Sequence, residues 1–299
     1  MKLKHVIYLI TMNKFMLVVA GYEGEKKKKF NSFSKNNQKY CDKYNIEYIE
    51  HSRNVKPIRG KFNWVKPFYV NDLLNNKLKE NDILICLDAD LAICNFDQEF
   101  DLDYGKSFGY AIDSANTHNT GFYIIRNNSW SRKMISLTID EERYKYYINK
   151  KTYHERFKNH SVFWDDLVDQ ASWYSLAGIK RHSDISFWEL KNYGWNSDCD
   201  EKTIYDVKDL EENVQLFDSR YNVTEISLET DGTFNINKVA YYKVINRHFA
   251  GNQKWNTVWL NPSFLKISLY YLNPFRVIKF LYIKYRPKFI GKFNKIIGK

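Results

Sequence analysis

Beyond Asp231 the sequence contains no aspartate or glutamate. That acid-free stretch carries 13 lysines and arginines, whereas residues 1–231 carry 33 basic and 35 acidic residues. A nearly neutral body with a basic end excludes a generally cationic, nucleic-acid-coated surface and points to one localised anionic partner. Cysteine is scarce: Cys41, Cys86, Cys94 and Cys199 show no paired metal-ligand spacing. Cys86 and Cys94 lie inside apolar runs, so they are expected to be buried thiols in a reducing, cytoplasmic setting. Also missing is an apolar run near the roughly 20 residues that a membrane-spanning helix requires. The opening MKLKHVIYLITMNKFMLVVAGY resembles a signal or anchor, but Asn13 and Lys14 interrupt it, and HVIYLIT is read instead as a buried strand. No Gly-, Pro- or Ser-rich linker and no internal repeat divides the chain. The expectation is one domain over residues 1–262 and a basic tail over 263–299.

What the chain does contain is an ample supply of core-forming side chains, 44% hydrophobic and 17% aromatic, which mark a packed globular protein. The KKKKFNSFSKNNQKYCDKY stretch reads as a helix start with a solvated charge run. IEYIEH alternates as a strand, and PIRGKFNWVKP carries loop residues at both ends. In FYVNDLLNNKL, Val70, Leu73, Leu74 and Leu78 recur with helical spacing. ILICL at 83–87 is a continuous apolar run of the kind found in central parallel strands. Residues 107–113 and 121–126 read as further strands, 129–147 as one helix, and another helix begins near Asp165, where Leu167, Val168, Ala171 and Tyr174 form a core-packing stripe. Alternating strands and helices imply an α/β sheet wound with crossovers.

Three Asp-x-Asp pairs occur. Asp101/Asp103 and Asp198/Asp200 lie in polar, turn-like segments, whereas Asp88/Asp90 follow directly on ILICL. Open α/β sheets bind ligands beyond the carboxyl ends of their strands, and residues two apart on a strand face the same way. Two carboxylates placed there require compensation by a cation or by hydrogen bonds. A hard divalent ion with oxygen ligands, Mn²⁺ or Mg²⁺, meets that need and bridges readily to phosphate. A second cluster, RHFAGNQKW at 247–255, places His248 after an apolar-aromatic stretch, with Gly251 to admit a close anion and Lys254 as a point charge for phosphate.

Together, LDAD at 87–90 and HFAGNQK at 248–254 resemble the metal and diphosphate motifs of GT-A-fold glycosyltransferases, especially the retaining families that include glycogenin and the bacterial lipopolysaccharide galactosyltransferases. NWVKPFYVNDLL, HNTGFYIIRNNSW and DDLVDQASW are similar to segments of the related α-galactosyl-, α-mannosyl- and α-xylosyltransferases, in the same order over roughly residues 5–255. The resemblance implies a Rossmann-like, mostly parallel central sheet flanked by helices. It implies that Asp88 and Asp90 hold the metal and the ribose or diphosphate of a nucleotide-sugar, with His248 as a further metal ligand and Gly251 and Lys254 on the diphosphate. Lys66 would lie near the donor, Asn119 would line the donor-sugar pocket, and Thr120 and Gly121 would shape that turn. Asp169 and Gln170 match the family's Asp-Gln pair beside the anomeric carbon; Asp165 and Asp166 are alternatives in the same segment.

The implied activity is hexosyl transfer with retention, galactose first among the donor sugars and UDP before GDP, to a glycan or glycolipid acceptor and without nucleic acid. A nucleotidyltransferase of similar fold and a non-catalytic carbohydrate-binding module are the alternatives. The first lacks a Gly-rich phosphate loop near the N-terminus and gives HFAGNQK no role, and the second leaves the Asp88/Asp90 pair unexplained. In the tail, Phe289, Ile290, Phe293, Ile296 and Ile297 form an apolar helical stripe beside Lys288, Lys292, Lys295 and Lys299, a pattern that suits an anionic bilayer interface and a peripheral membrane location, with a terminal helix packed on the domain behind a solvated basic face, or binding of an anionic polymer, as the alternatives. Deleting residues 264–299 is therefore expected to abolish co-sedimentation with anionic liposomes; unchanged sedimentation would remove the membrane role.

Overall fold

The computed structural model describes residues 12–20, 24–113, 118–149, 169–179, 202–223 and 245–248. Expectations for HVIYLIT, Asp165, Asp166, Asp198, Asp200, Gly251, Lys254 and the tail fall outside these residues. Among them, the chain runs β1 (Lys14–Val19), α1 (Gly24–Tyr44), β2 (Glu47–His51), α2 (Val65–Asn76), β3 (Ile83–Asp88) and β4 (Leu91–Ile93). It continues through β5 (Phe108–Ile112), β6 (His118–Arg126), α3 (Ser129–Thr138), α4 (Glu141–Asn149) and α5 (Asp169–Ala177). The last described elements are α6 (Val207–Asn213), β7 (Val214–Phe217) and β8 (Asn246–His248).

Six strands form the main sheet in the order β2-β1-β3-β6-β5-β7. Parallel pairing joins β1 to β2 and β3, and β5 to β7; β6 runs antiparallel to both of its neighbours. The sheet is thus mostly parallel, with one reversed strand. The central position expected for ILICL is correct, but β3 is parallel on one side only, because its other neighbour is the reversed β6.

The continuous apolar runs have a simple cause. Alternate residues of each central strand enter different cores on the two faces of the sheet. Met16, Val18, Ile85, Leu87, Phe122 and Ile124 join Phe30, Phe33 and Tyr40 of α1 on one face. On the other, Leu17, Leu84, Cys86, Tyr123 and Ile125 meet Val70, Leu73 and Leu74 of α2, Met134 of α3 and Trp173 of α5. Cys41 and Cys86 are buried and free, whereas Cys94, expected to be buried, is only partly so.

The helix expected over 129–147 is two. Asn128 caps α3 by accepting from the Ser131 amide, and Ser131 Oγ returns the bond to the Asn128 amide. The chain then restarts at Asp140, whose carboxylate accepts from the Arg143 amide at 2.7 Å ahead of Glu141 and Glu142 in the first turn of α4. Pro67 within α2 is compatible with the helix because it sits in the first turn, where no intrahelical N–H donor is needed.

Between β2 and α2 the chain makes a two-residue turn. Ile58 and Lys61 exchange both backbone hydrogen bonds, and Arg59 and Gly60 have φ of 51° and 74°. Both central residues occupy the left-handed region that such a turn demands. The Arg59 guanidinium lies 4.5 Å from the Trp64 ring centroid and 4.1 Å from that of Tyr144, and it pairs with Glu141 at 2.9 Å. This cation–π and ionic contact ties the turn to α4.

Asn127, at the end of β6, is buried and donates through its amide to the carbonyls of Leu74, Leu78 and Lys79, binding the C-terminal turn of α2 to the sheet. Asn127→Ala leaves these carbonyls without that donor and is expected to cost about 2 kcal/mol, read as a lower urea midpoint at unchanged slope.

Candidate functional site

The site lies at the edge where β1 and β3 end and the reversed β6 begins. Val19, the last residue of β1, pairs with Asp88, the last of β3. Asp88 and Asp90 line one cavity, although only Asp88 belongs to the strand. Asp90 sits in the turn between β3 and β4, so the two are brought to the cavity by a change of chain direction rather than by strand alternation. Lys66, from the first turn of α2, and Asp169, the first residue of α5, face the same space.

Lys66 is buried and fully engaged. Its Nζ donates to Asp88 Oδ1 at 2.5 Å and to the Thr120 carbonyl at 2.8 Å, and it lies 3.8 Å from Asp169 Oδ2. It also stands 5.1 Å from the Tyr123 ring centroid. Burial opposes charging Lys66, but Asp88 and Asp169 outweigh it and leave the ammonium with a raised pKa. Asp169 is affected differently. Burial pushes its carboxyl up to about 6; Lys66 pulls it down and Asp88 pushes it further up.

A bulge supplies the remaining polar groups. Tyr110 of β5 faces Tyr123, but the next residue, Ala111, faces Asn119, so residues 120, 121 and 122 of β6 have no counterpart on β5. Thr120 is thereby released from the ladder on that side, and its carbonyl turns to Lys66 while its amide donates to Gln170 Oε1 at 3.1 Å. Asn119 spends its side chain locally. Its Oδ1 accepts from the Gly121 amide at 2.8 Å, and its Nδ2 donates to Asp113 at 3.2 Å. His118, buried at the start of β6, has its pKa lowered by burial to about 4, and its Nδ1 meets the Tyr110 hydroxyl.

Of the distant motif, the backbone of His248 is described. β4 and β8 form a separate two-stranded antiparallel sheet in which Leu91 faces His248. The backbone of His248 is therefore one strand-width from the residue that follows Asp90. Lys66, Asp88, Asp90 and Asp169 line the cavity together, Thr120 joins Lys66 through its carbonyl and Gln170 through its amide, and Asn119 accepts from Gly121 beside the bulge.

Sequence reasoning missed several neighbours. Val19, Val55, Phe62 and Asn63 also line the cavity, and Phe62 is half-exposed at 49%. No residue type or spacing distinguishes them. Tyr174, read as core packing, is buried but also accepts from Gln170 Nε2 at 3.0 Å. The signal was available, since Gln170 and Tyr174 are four apart on a helix.

Three carboxylates and one ammonium line the cavity, a hard oxygen donor set with excess negative charge that suits a divalent cation. Among the described residues, no group of three or more His, Cys, Asp and Glu is placed to hold a metal. Asp88 and Asp90 both line the cavity.

The Asp169 shift carries a stability consequence. A carboxyl with its folded pKa above its unfolded value stabilises the fold while protonated; that contribution is complete below about pH 4 and is lost as pH rises through about 6. Asp169→Asn removes this titration. In ligand-free protein its stability relative to wild type is expected to rise by about 2 kcal/mol between about pH 4 and 7, measured by urea unfolding.

No protein-family model matches the sequence, and comparison with curated proteins gives no match. Among solved structures, the chain is similar to a glycosyltransferase involved in glycosylation of the major capsid of PBCV-1, at 11% identity over 80% of this chain and 94% of that one, with a TM-score of 0.45. It is similar to mouse xyloside xylosyltransferase 1 at 9% identity over 81% and 99%, TM-score 0.39. It is similar to an active-site mutant of LgtC at 12% identity over 85% and 94%, TM-score 0.38. Similarity of this degree leaves the function to be argued from the site.

Proposed function

We propose that the chain is a metal-dependent glycosyltransferase of the GT-A type. It moves a hexose, galactose first, from a nucleotide-diphosphate sugar, UDP before GDP, to a glycan or glycolipid acceptor with retention. One observation carries this reading: separate segments resembling the family motifs converge on one sheet edge. Lys66, Asp88, Asp90 and Asp169 line a common cavity, and the β4–β8 pairing sets the backbone of His248 beside Leu91.

In this reading Asp88, Asp90 and His248 hold Mn²⁺ or Mg²⁺, which when bound stabilises the negative charge growing on the departing diphosphate. Lys66 fixes the Asp88 carboxylate through a direct ionic hydrogen bond. Gly251 and Lys254 contact the diphosphate. Asn119, Thr120 and Gly121 form the donor-sugar wall, and Asp169 and Gln170 stand on the sugar side, where a carboxylate or amide oxygen stabilises an oxocarbenium-like centre. Burial of Asp169 against Lys66 limits access of water to that face. Residues 1–262 form the catalytic domain, and the tail at 263–299 holds it peripherally on an anionic, cytoplasmic membrane surface. No helix among the described residues is long and apolar enough to cross a membrane.

Incubation with a panel of UDP- and GDP-sugars and Mn²⁺ is expected to release nucleotide from one donor. Asp90→Ala and His248→Ala are each expected to lower metal-dependent turnover by about 10²-fold or more while leaving the circular dichroism spectrum unchanged. Absence of both turnover and Mn²⁺-dependent nucleotide binding would overturn the proposal.

A further inference from the structure

Asp169 and Gln170 are adjacent in sequence and stand together on the sugar side of the proposed site, yet their surroundings differ. Asp169 lines the cavity with Asp88, Asp90 and Lys66. Gln170 is held from both ends of its amide. Its Oε1 accepts from the Thr120 amide at 3.1 Å, and its Nε2 donates to the Tyr174 hydroxyl oxygen at 3.0 Å. The Tyr174 hydroxyl donates to the His118 carbonyl.

These bonds determine which way the amide faces. A backbone N–H can only donate, so the Thr120 amide requires the oxygen of Gln170. A tyrosine hydroxyl has one proton, and Tyr174 spends it on the His118 carbonyl. Its oxygen can therefore only accept, which requires the nitrogen of Gln170. Turning the carboxamide over would set N–H against N–H at Thr120 and oxygen against a hydroxyl oxygen at Tyr174. Two residues of β6, Thr120 and His118, thus lock one orientation of a side chain on α5. The bulge that displaces residues 120–122 from β5 is what makes the Thr120 amide available.

The geometry points to a division of labour that rests on the transferase reading: Asp169 presents its carboxylate to the bound sugar, and Gln170 is a positioning residue, fixed by Thr120 and Tyr174, that pins the first turn of α5. Releasing Oε1 toward the sugar would leave the Thr120 amide without its acceptor. Asp169 needs no such exchange, because it already faces the cavity with Lys66 3.8 Å away. The Tyr174 hydroxyl is then a second positioning group, acting through Gln170 and separable from the ring, which is buried in the core beside His118.

The test compares Asp169→Asn, Gln170→Met and Tyr174→Phe, each checked for an unchanged circular dichroism spectrum. With the donor identified by nucleotide release, kcat is expected to fall about 10³-fold in Asp169→Asn. It is expected to fall about 10- to 100-fold in Gln170→Met and Tyr174→Phe, with KM for the donor unchanged in both. Hydrogen exchange of the ¹⁵N-labelled Gln170 side-chain amide is measured in parallel without substrate, the signal being assigned by its loss in Gln170→Met. It is expected to be protected in wild type and to accelerate about 10-fold or more in Tyr174→Phe, as loss of a net hydrogen bond implies. A Gln170→Met enzyme as inactive as Asp169→Asn would make Gln170 the sugar-facing group and overturn the assignment. Equal exchange in wild type and Tyr174→Phe would overturn the lock. If wild type turns over no donor, the Asp169 assignment falls with the transferase reading, whereas amide exchange still decides the lock.

Discussion

The buried ammonium of Lys66 is the contact on which the site depends. It joins α2 to the end of β3 through Asp88, to the bulge of β6 through the Thr120 carbonyl, and to the start of α5 through Asp169. A lysine taken out of water is costly unless its charge and donors are met. Here a carboxylate in direct contact, a carbonyl and a second carboxylate further off meet them. The inequality of the two carboxylates matters. Asp88, at 2.5 Å, receives most of the compensation and stays partly exposed to solvent, while Asp169, at 3.8 Å and deeply buried, retains a raised pKa. One cation therefore prepares two acids for different environments.

The reversed strand makes this possible. Parallel strands bring only their carboxyl ends to a ligand edge. Because β6 runs the other way, its first residues arrive at that edge, and the bulge turns the amide and carbonyl of Thr120 out of the β5 ladder. Backbone groups that would otherwise be consumed in pairing instead orient Lys66 and Gln170. The Arg59 turn acts through α2: packed over Trp64 and Tyr144, it braces the segment that delivers Phe62, Asn63 and Lys66.

Much of the fold was legible in the residues. Ile83–Leu87 could be recognised as a two-sided buried strand because no polar residue interrupts it, and α2 because Val70, Leu73 and Leu74 share a helical face, Leu78 lying just past its end. The break between α3 and α4 was not recognised, since the apolar periodicity continues across it and the restart is marked only by the Asp140 cap of the second helix. Strand direction was equally hidden: Phe122–Ile125 has the same apolar character as a parallel strand, and reversal follows from how the chain returns to the sheet.

For the site, the sequence by itself determined the chemistry on offer: carboxylates after a buried strand, a lysine at a helix start and an Asp-Gln pair at the head of another helix. These identities follow from covalent structure and local pattern. Tertiary structure decided which groups meet. It brought Lys66 onto Asp88, placed Asp90 in the cavity through a turn rather than along the strand, set the backbone of His248 opposite Leu91, and divided Asp169 from Gln170 by their hydrogen-bond partners. Such choices depend on strand order, a bulge and donor–acceptor matching between groups from 22 to more than a hundred and fifty residues apart, which no local sequence pattern encodes.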